Sequence, residues 1–254
     1  MMRLLLVACV ATATVRGTAA AQVADSALLT VERIYASPEF RGGSFGPLVW
    51  LMDGSAYTTL EDTANDKSGK DLVRYDARTG QRTILVSADR LVPVGDSTPL
   101  DIEEYRWSAD GQRLLIFTNS QQVWRTNTRG DYWALDIGTG KLQQLGGPNG
   151  GTPSTLMFAK FSPDGGRVGW VRYGENNISV EDLATGRITQ LTNDGSRTTI
   201  NGTFDWVYEE ELGLQDGWRW SPDGRSIAYW QLDATGVRDF PLYNTTDSLY
   251  AYFF

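Results

Sequence analysis

The 254-residue chain contains no histidine and only one cysteine, Cys9. A Ser-His-Asp triad cannot be assembled from this chain alone, because the general base of that triad is a histidine. Metal sites built on histidine or on several cysteines are excluded for the same reason. We also predict no G-x-S-x-G nucleophile elbow and no phosphate-binding loop. The sequence therefore predicts no catalytic residue, no metal and no cofactor within this chain.

Basic residues are too few to balance the acidic ones, with 23 Lys and Arg against 31 Asp and Glu and a net charge of −8. Nucleic-acid binding requires a basic surface, so we expect no nucleic-acid partner. Hydrophobic residues make up 41% of the chain and aromatic residues 11%, which is enough for a large core. Beyond the N-terminus no segment is apolar enough for a membrane span.

The first 21 residues have the features of a secretory signal peptide. Arg3 supplies a positive charge, residues 4–15 form an apolar run too short to cross a bilayer, and residues 19–21 offer a small-residue cleavage site. We predict a signal peptide at 1–21, a mature chain at 22–254 and a secreted, periplasmic or extracellular location. A lipoprotein signal ending at Cys9 is the alternative interpretation. Cleavage after residue 21 would remove the only cysteine and exclude disulfides.

Two sequence elements alternate along the rest of the chain. The first is an Asp-Gly pair followed by an apolar and aromatic run, which indicates a tight turn leading into a strand. The second is a strand, a Thr-Gly turn and another strand, which predicts a hairpin. The Asp-Gly pairs begin at Asp53, Asp110, Asp164 and Asp223. The hairpins span residues 72–86, 132–146 and 178–192.

The Asp-Gly pairs recur every 54 to 59 residues, with about four short strands in each unit. That period is typical of β-propeller blades, and an open all-β sandwich is the alternative. We predict an all-β fold, a partial β-propeller of about four four-stranded blades, in which the chain completes three units and begins a fourth. The tryptophans near strand starts, Trp107, Trp218 and Trp220, are expected to fill space between blades.

The stretch FDWVYEEELG, residues 204–213, interrupts this all-β pattern. Asp205 is suited to an N-cap and Gly213 to a helix stop, so residues 206–212 are predicted to form a short helical insertion of about two turns. Three consecutive glutamates, 209 to 211, fall on this helix. In one interpretation they are a solvated acidic helix start, which the helix dipole favours.

A second interpretation is a cation site. Trp206 and Tyr208 are expected to desolvate the neighbouring carboxylates, which raises the cost of their charge unless a cation is bound. Adjacent helix residues point about 100° apart, so Glu210 and Glu211 can contact one ammonium from two sides. The amino terminus of a peptide is such a cation, and each charge-assisted bond contributes roughly 1.5–3 kcal/mol.

The sequence DWVYEEE at residues 205–211, together with the flanking SPDG units, resembles the dipeptidyl peptidase IV family of serine exopeptidases in the prolyl oligopeptidase clan. The resemblance implies an N-terminal propeller, eight-bladed in this branch, joined to an α/β-hydrolase domain. It implies removal of Xaa-Pro and Xaa-Ala dipeptides from free amino termini, with Glu210 and Glu211 binding the ammonium. QVWRTNTRGDYW resembles the loop whose arginine contacts the substrate carbonyl, which places Arg125 in that role.

Asp205, Trp206, Tyr208 and Glu209 then have supporting roles around the substrate-binding residues. The family's hydrolase domain and about half of its propeller have no counterpart in this chain, so we expect the propeller portion of a longer enzyme. The partners implied are peptides with a free N-terminus, the missing hydrolase domain and, at full length, a second copy in a homodimer. The alternative is a non-catalytic propeller binding or scaffold protein of the periplasm.

Overall fold

The computed structural model describes residues 28–42, 46–63, 69–246 and 252–253. The predicted signal peptide at 1–21 therefore lies outside the described residues. The chain divides into two units, residues 1–44 and residues 45–254. In the first unit, a π-helical turn spans Glu32–Ala36, and the Arg33 guanidinium pairs with the carboxylate of Glu39.

The second unit begins with a four-stranded antiparallel sheet whose strands neighbour each other in chain order. Its strands are β1 (Val49–Trp50), β2 (Ala56–Asp62), β3 (Lys70–Asp76) and β4 (Arg82–Val86). Strands β3 and β4 form the hairpin predicted at residues 72–86, which is confirmed. A 3-10 turn at Ala88–Leu91 then leads towards the next sheet. This sheet is the first blade.

Two further four-stranded units follow, and both predicted hairpins in them are confirmed. The second blade comprises β5 (Glu104–Trp107), β6 (Arg113–Gln122), β7 (Asn127–Asp136) and β8 (Leu142–Gln144). After a 3-10 turn at Pro148–Gly150, the third comprises β9 (Leu156–Phe161), β10 (Arg167–Arg172), β11 (Asn177–Asp182) and β12 (Ile188–Gln190). Arg129 and Gly130 of β7 also pair with Met157 and Leu156 of β9, which joins the two blades into one continuous sheet.

The fourth unit consists of short two-stranded ladders with one helix between them. Its elements are β13 (Thr199–Asn201), α1 (Trp206–Leu212), β14 (Trp218–Trp220), β15 (Ile227–Tyr229) and β16 (Gln231–Asp233). Strand β14 pairs with β15, and β13 pairs with β16. A further pair, β17 (Leu242–Tyr243) and β18 (Tyr252–Phe253), follows.

The Asp-Gly pairs form the predicted tight turns, since their four glycines have φ between +66° and +69°. In the second blade, the Ser108 hydroxyl donates to the Asp110 carboxylate at 2.6 Å, and that carboxylate accepts from the backbone N–H of Gln112. Arg113, which follows the turn, donates to the Gly165 carbonyl in the next blade at 3.1 Å. These turns therefore order their own blades, and the turn at Gly165 also gives the preceding blade a point of attachment.

The core lies in layers between successive blades, because alternate strand residues face opposite sides. Leu114 and Ile116 of β6 pack towards the first blade, whereas Leu115 between them packs towards the third. A third layer joins Met157, Val171 and Ile178 of the third blade to Trp218. Every central blade contributes to two core layers, and the predicted all-β partial propeller is confirmed.

The tryptophans near strand starts fill the space between blades, as predicted. The Trp107 indole N–H donates to the Thr58 hydroxyl of the first blade at 3.1 Å, and the Trp220 indole donates to the Lys160 carbonyl of the third at 3.2 Å. Trp218 is buried against Gly169, where an added Cβ would lie 2.6 Å from the indole ring. A glycine at 169 is therefore what allows the ring to approach β10.

The prediction that the chain has no G-x-S-x-G nucleophile elbow is wrong about the spacing, which occurs once in the sequence. Residues 42–46, GGSFG, have the G-x-S-x-G spacing, and residues 43–45 lie outside the described residues. An elbow places its serine between a strand and a following helix. The next regular element after residue 46 is strand β1 and not a helix, so this serine does not have the strand-to-helix setting that an elbow requires.

Candidate functional site

The acidic helix α1 has the boundaries that the sequence predicts. The carboxylate of Asp205 accepts from the backbone N–H of Tyr208 at 3.1 Å and caps the amino end. Gly213 ends the helix in the left-handed conformation, with φ of 65°, and its N–H donates to the Glu209 carbonyl. The signals that start and end the helix are both local, which explains why the sequence alone locates them.

The segments before and after helix α1 contact each other at the point where the helix joins the blade. Thr203 and Asp216 form an isolated antiparallel bridge, so the chain leaves and re-enters the blade at one place. Phe204, which precedes the N-cap, is buried, and the Tyr208 ring stacks on it with centroids 5.5 Å apart. Tyr208 thus attaches the first turn of the helix to the body of the blade.

Opposite the helix, strands β6 and β7 extend beyond the sheet as a hairpin. The last ladder pair is Gln122 with Asn127, and the Val123 N–H donates to the Thr126 carbonyl at 2.9 Å to close the tip. Register shifts near Thr118 and Gln121 bend this extension. Arg125 lies in this tip. We call residues 120–129 the arginine hairpin.

The three glutamates of α1 have three different environments. Glu209 accepts from the backbone N–H of Arg125 at 3.3 Å and lies 3.5 Å from the Thr126 hydroxyl. Glu210 receives the Arg125 guanidinium, which contacts both carboxylate oxygens. Glu211 is exposed, and its carboxylate takes part in no hydrogen bond or ion pair with the described residues. One glutamate therefore contacts the hairpin backbone, one its guanidinium, and one solvent.

The expected desolvation of these carboxylates by the motif's aromatic residues is wrong in part. The Trp206 side chain is 49% exposed and Tyr208 is 37% exposed, and no residue of α1 is buried. The physical reason is that the Tyr208 ring stacks on Phe204 and that the Trp206 side chain is half-exposed to solvent. Glu209 and Glu210 are half-buried, and both contact the arginine hairpin.

A cleft of about 250 Å³ lies between the arginine hairpin, the third blade and the start of α1. Trp124 of the hairpin and Phe158 and Tyr173 of the third blade supply aromatic walls. Asp205 and Glu209 supply carboxylates on the helix side. A group entering this cleft therefore meets acidic side chains on the helix side, aromatic rings from the hairpin and the third blade, and the cationic side chain of Arg197.

Lys160 fixes the segment that follows the helix. Its ammonium donates to the Asp216 carboxylate at 2.6 Å and to the Phe158 carbonyl at 3.0 Å, and it lies 4.0 Å from the centre of the Trp218 ring. Burial lowers the pKa of Lys160 to about 8, although Asp216 acts in the opposite direction. Asp216 also pairs with Arg219 at 2.8 Å, so its carboxylate keeps a partner without Lys160.

This lowered pKa predicts a pH dependence of stability. Above pH 8 the folded chain loses the Lys160 proton, whereas the unfolded chain keeps it up to the ordinary pKa of 10.5. Because the unfolded state then binds more protons, the unfolding free energy rises with pH across this window, by at most about 1.4 kcal/mol per unit. Urea unfolding of the wild-type chain and Lys160→Met at several pH values should show this rise only in the wild type. Parallel pH profiles would contradict it.

The arrangement brings together residues that the sequence only placed on separate elements. Arg125 contacts Glu209 and Glu210, which lie 84 and 85 positions further along the chain. All three residues are among the predicted site residues. Three carboxylates, one of them the exposed Glu211, against one guanidinium leave a net negative charge, which suits a cationic ligand. Sequence reasoning missed Thr126, Gln215 and Lys160, whose importance lies in tertiary contacts that carry no local signal.

Two absences concern only the described part of the chain. Within residues 28–42, 46–63, 69–246 and 252–253, no group of three or more histidine, cysteine or carboxylate side chains is arranged to hold a metal ion. Across those same residues, no helix has both the length and the apolar character needed to cross a membrane.

The fold and site define a class: a β-propeller region that presents an acidic helix to an arginine hairpin. A family model described as the dipeptidyl peptidase IV N-terminal region matches residues 108–252. The chain belongs to this family, and the match lies in its N-terminal region.

Individual relatives agree with that assignment. Probable dipeptidyl-aminopeptidase B of Penicillium rubens is 36% identical over 137 residues, which cover 53% of this chain and 15% of the relative. Dipeptidyl aminopeptidase B of Saccharomyces cerevisiae is 35% identical over 144 residues, covering 56% of this chain and 16% of the relative. The crystal structure of Porphyromonas gingivalis dipeptidyl peptidase 4 aligns with a TM-score of 0.70 at 27% identity, over 86% of this chain and 29% of that one. The chain thus matches only a small part of the length of each relative.

Proposed function

We propose that this region docks the free amino terminus of a peptide substrate in a secreted serine dipeptidyl aminopeptidase that removes Xaa-Pro or Xaa-Ala dipeptides. The observation that supports the proposal is that the three glutamates have different partners. Arg125 compensates the charge of Glu210, while Glu211 stays exposed beside it without a described partner. A peptide ammonium placed between Glu210 and Glu211 would complete the charge pairing.

The electrostatics favour an ammonium over other ligands. The site carries three carboxylates and one guanidinium, so a single positive charge improves its balance and an anion worsens it. A peptide α-amino group has an ordinary pKa of about 7.7–8.0 and is largely protonated at neutral pH. Arg125 is exposed over 68% of its side chain and is therefore able to donate to a substrate carbonyl while it still contacts Glu210.

Bond cleavage is proposed to take place on the family's α/β-hydrolase domain. This chain has no histidine, so a Ser-His-Asp triad needs residues from elsewhere. Docking by the propeller would fix the distance between the peptide's amino end and that triad, which limits the product to a dipeptide. Secretion and a homodimer at full length stay predictions that accompany this proposal.

The proposal is tested by comparing two peptides on this chain. Ala-Pro-Ala-Ala-amide with a free amino terminus should bind at least about tenfold more tightly than its N-acetylated form, since acetylation removes the charge that both glutamates contact. Calorimetric titration of each peptide measures the two dissociation constants. Equal affinities would contradict the proposed docking of an ammonium.

A further inference from the structure

Glu209 differs from its two neighbours because it contacts the backbone of the arginine hairpin. Its Oε1 accepts from the Arg125 N–H at 3.3 Å, and the same oxygen lies 3.5 Å from the Thr126 hydroxyl. The arginine hairpin has no ladder pair beyond Gln122 and Asn127. The contact with Glu209 is therefore one of the few that fix the tip from outside the hairpin.

A second contact reaches the same hydroxyl from the segment after the helix. The Gln215 side-chain amide donates to Thr126 Oγ1 at 2.9 Å. A threonine hydroxyl has one proton to donate and accepts through its lone pairs. Once Gln215 has donated to it, the hydroxyl is free to donate its own proton to Glu209, so the directions of the two bonds agree. Helix α1 and the segment behind it thus hold the tip at two positions.

We propose that Glu209 is a positioning residue, which holds the tip of the arginine hairpin so that the Arg125 guanidinium meets Glu210. This inference rests on the proposed function and assigns Glu209 a role different from that of Glu210 and Glu211. Its contribution is that of a hydrogen-bond acceptor, and the negative charge is not what the hairpin requires. An arginine side chain has much conformational freedom, so fixing its backbone reduces the entropy lost on binding.

The acceptor role separates Glu209→Gln from Glu209→Ala. The glutamine side chain keeps an oxygen at the same position, so Glu209→Gln should bind the free-ended peptide within about twofold of the wild type. Glu209→Ala removes the acceptor and should weaken binding roughly two- to tenfold, the range of one hydrogen bond. Asp96→Asn, at an exposed turn with no described side-chain partner, removes the same charge elsewhere and should leave binding unchanged.

The same contact is tested from its other side at Thr126. Thr126→Ser keeps the hydroxyl and should bind like the wild type, whereas Thr126→Val should weaken binding by no more than Glu209→Ala does, since the Arg125 N–H still donates to Glu209. The double variant Glu209→Ala/Thr126→Val should bind the peptide more weakly than either single variant. Its fold-loss of affinity should be smaller than the product of the two single fold-losses, because both substitutions act on one contact. Melting temperatures of all variants show whether each one is folded.

Hydrogen exchange of the Arg125 amide gives a readout that needs no peptide. Protection of this N–H should persist in Glu209→Gln and fall in Glu209→Ala. Unchanged protection in Glu209→Ala would overturn the inference even if the ammonium docks as proposed. A loss of affinity in Glu209→Gln as large as in Glu209→Ala would also overturn it, since charge would then be the property required. If free and acetylated peptides bind alike while the exchange results hold, the proposed function fails and the positioning contact stands.

Discussion

Replacing Trp218 by Ala should lower the unfolding free energy of this chain by about 3–5 kcal/mol, the cost typical of removing a large buried aromatic side chain. Trp218 is 1% exposed and lies between the third blade and the fourth unit. Its ring contacts Gly169 on one side and Trp220 on another, with centroids of the two indoles 6.0 Å apart. Alanine would leave a cavity between the third blade and the unit that carries α1.

Two matched variants make this prediction specific. The indole N–H of Trp218 has no hydrogen-bond partner among the described residues, so Trp218→Phe loses no hydrogen bond and should cost less than alanine. Trp230 is 64% exposed, and Trp230→Ala should cost less than about 1 kcal/mol. Urea unfolding followed by circular dichroism measures all three. Similar losses for Trp218→Ala and Trp230→Ala would show that the core between these blades is not where we place it.

Replacing Glu211 by Gln should weaken binding of a free-ended peptide by roughly tenfold to 150-fold. The variant keeps the size of the side chain and removes its charge, so a charge-assisted bond of about 1.5–3 kcal/mol is lost. The exposed Glu211 carboxylate forms no hydrogen bond or ion pair with the described residues, so the substitution should leave the melting temperature nearly unchanged. Calorimetric titration with Ala-Pro-Ala-Ala-amide measures the effect. Wild-type affinity in the variant would remove Glu211 from the site.

Glu210→Gln should behave differently, because Glu210 has a partner within the chain. Removing its charge weakens the contact with Arg125 as well as any contact with the ammonium. Arg125 is then less well oriented towards a substrate carbonyl, so binding of the acetylated peptide should also change. A Glu210→Gln variant that affected the free peptide alone would indicate that Arg125 takes no part in binding.

The sequence predicted helix α1 to the residue because its boundaries are set locally. Asp205 caps the first turn through its own side chain, and Gly213 takes a left-handed conformation that other residues adopt at a cost. The Asp-Gly and Thr-Gly turns were predictable for the same reason. The pairing of β7 with β9 was not, since it depends on how two blades meet and not on either strand's own sequence.

The candidate site was predictable in its members but not in its geometry. The motif and the resemblance indicated Arg125, Glu210 and Glu211, and left Glu209 only a supporting role. The contacts of Glu209 with Arg125 and Thr126 join positions more than 80 residues apart, and no local pattern records them. Trp206 stands three and four positions before Glu209 and Glu210, on the same side of the helix, but its side chain is 49% exposed and therefore shields them less than expected.

The central claim is that a peptide's ammonium contacts Glu211, and a double-mutant cycle tests it most directly. Four dissociation constants are needed, for the free and the acetylated peptide on the wild-type chain and on Glu211→Gln. Our account predicts that Glu211→Gln weakens the free peptide by at least roughly tenfold and leaves the acetylated peptide unaffected, so the two changes are strongly coupled. Equal losses for both peptides, or none for either, would contradict the account.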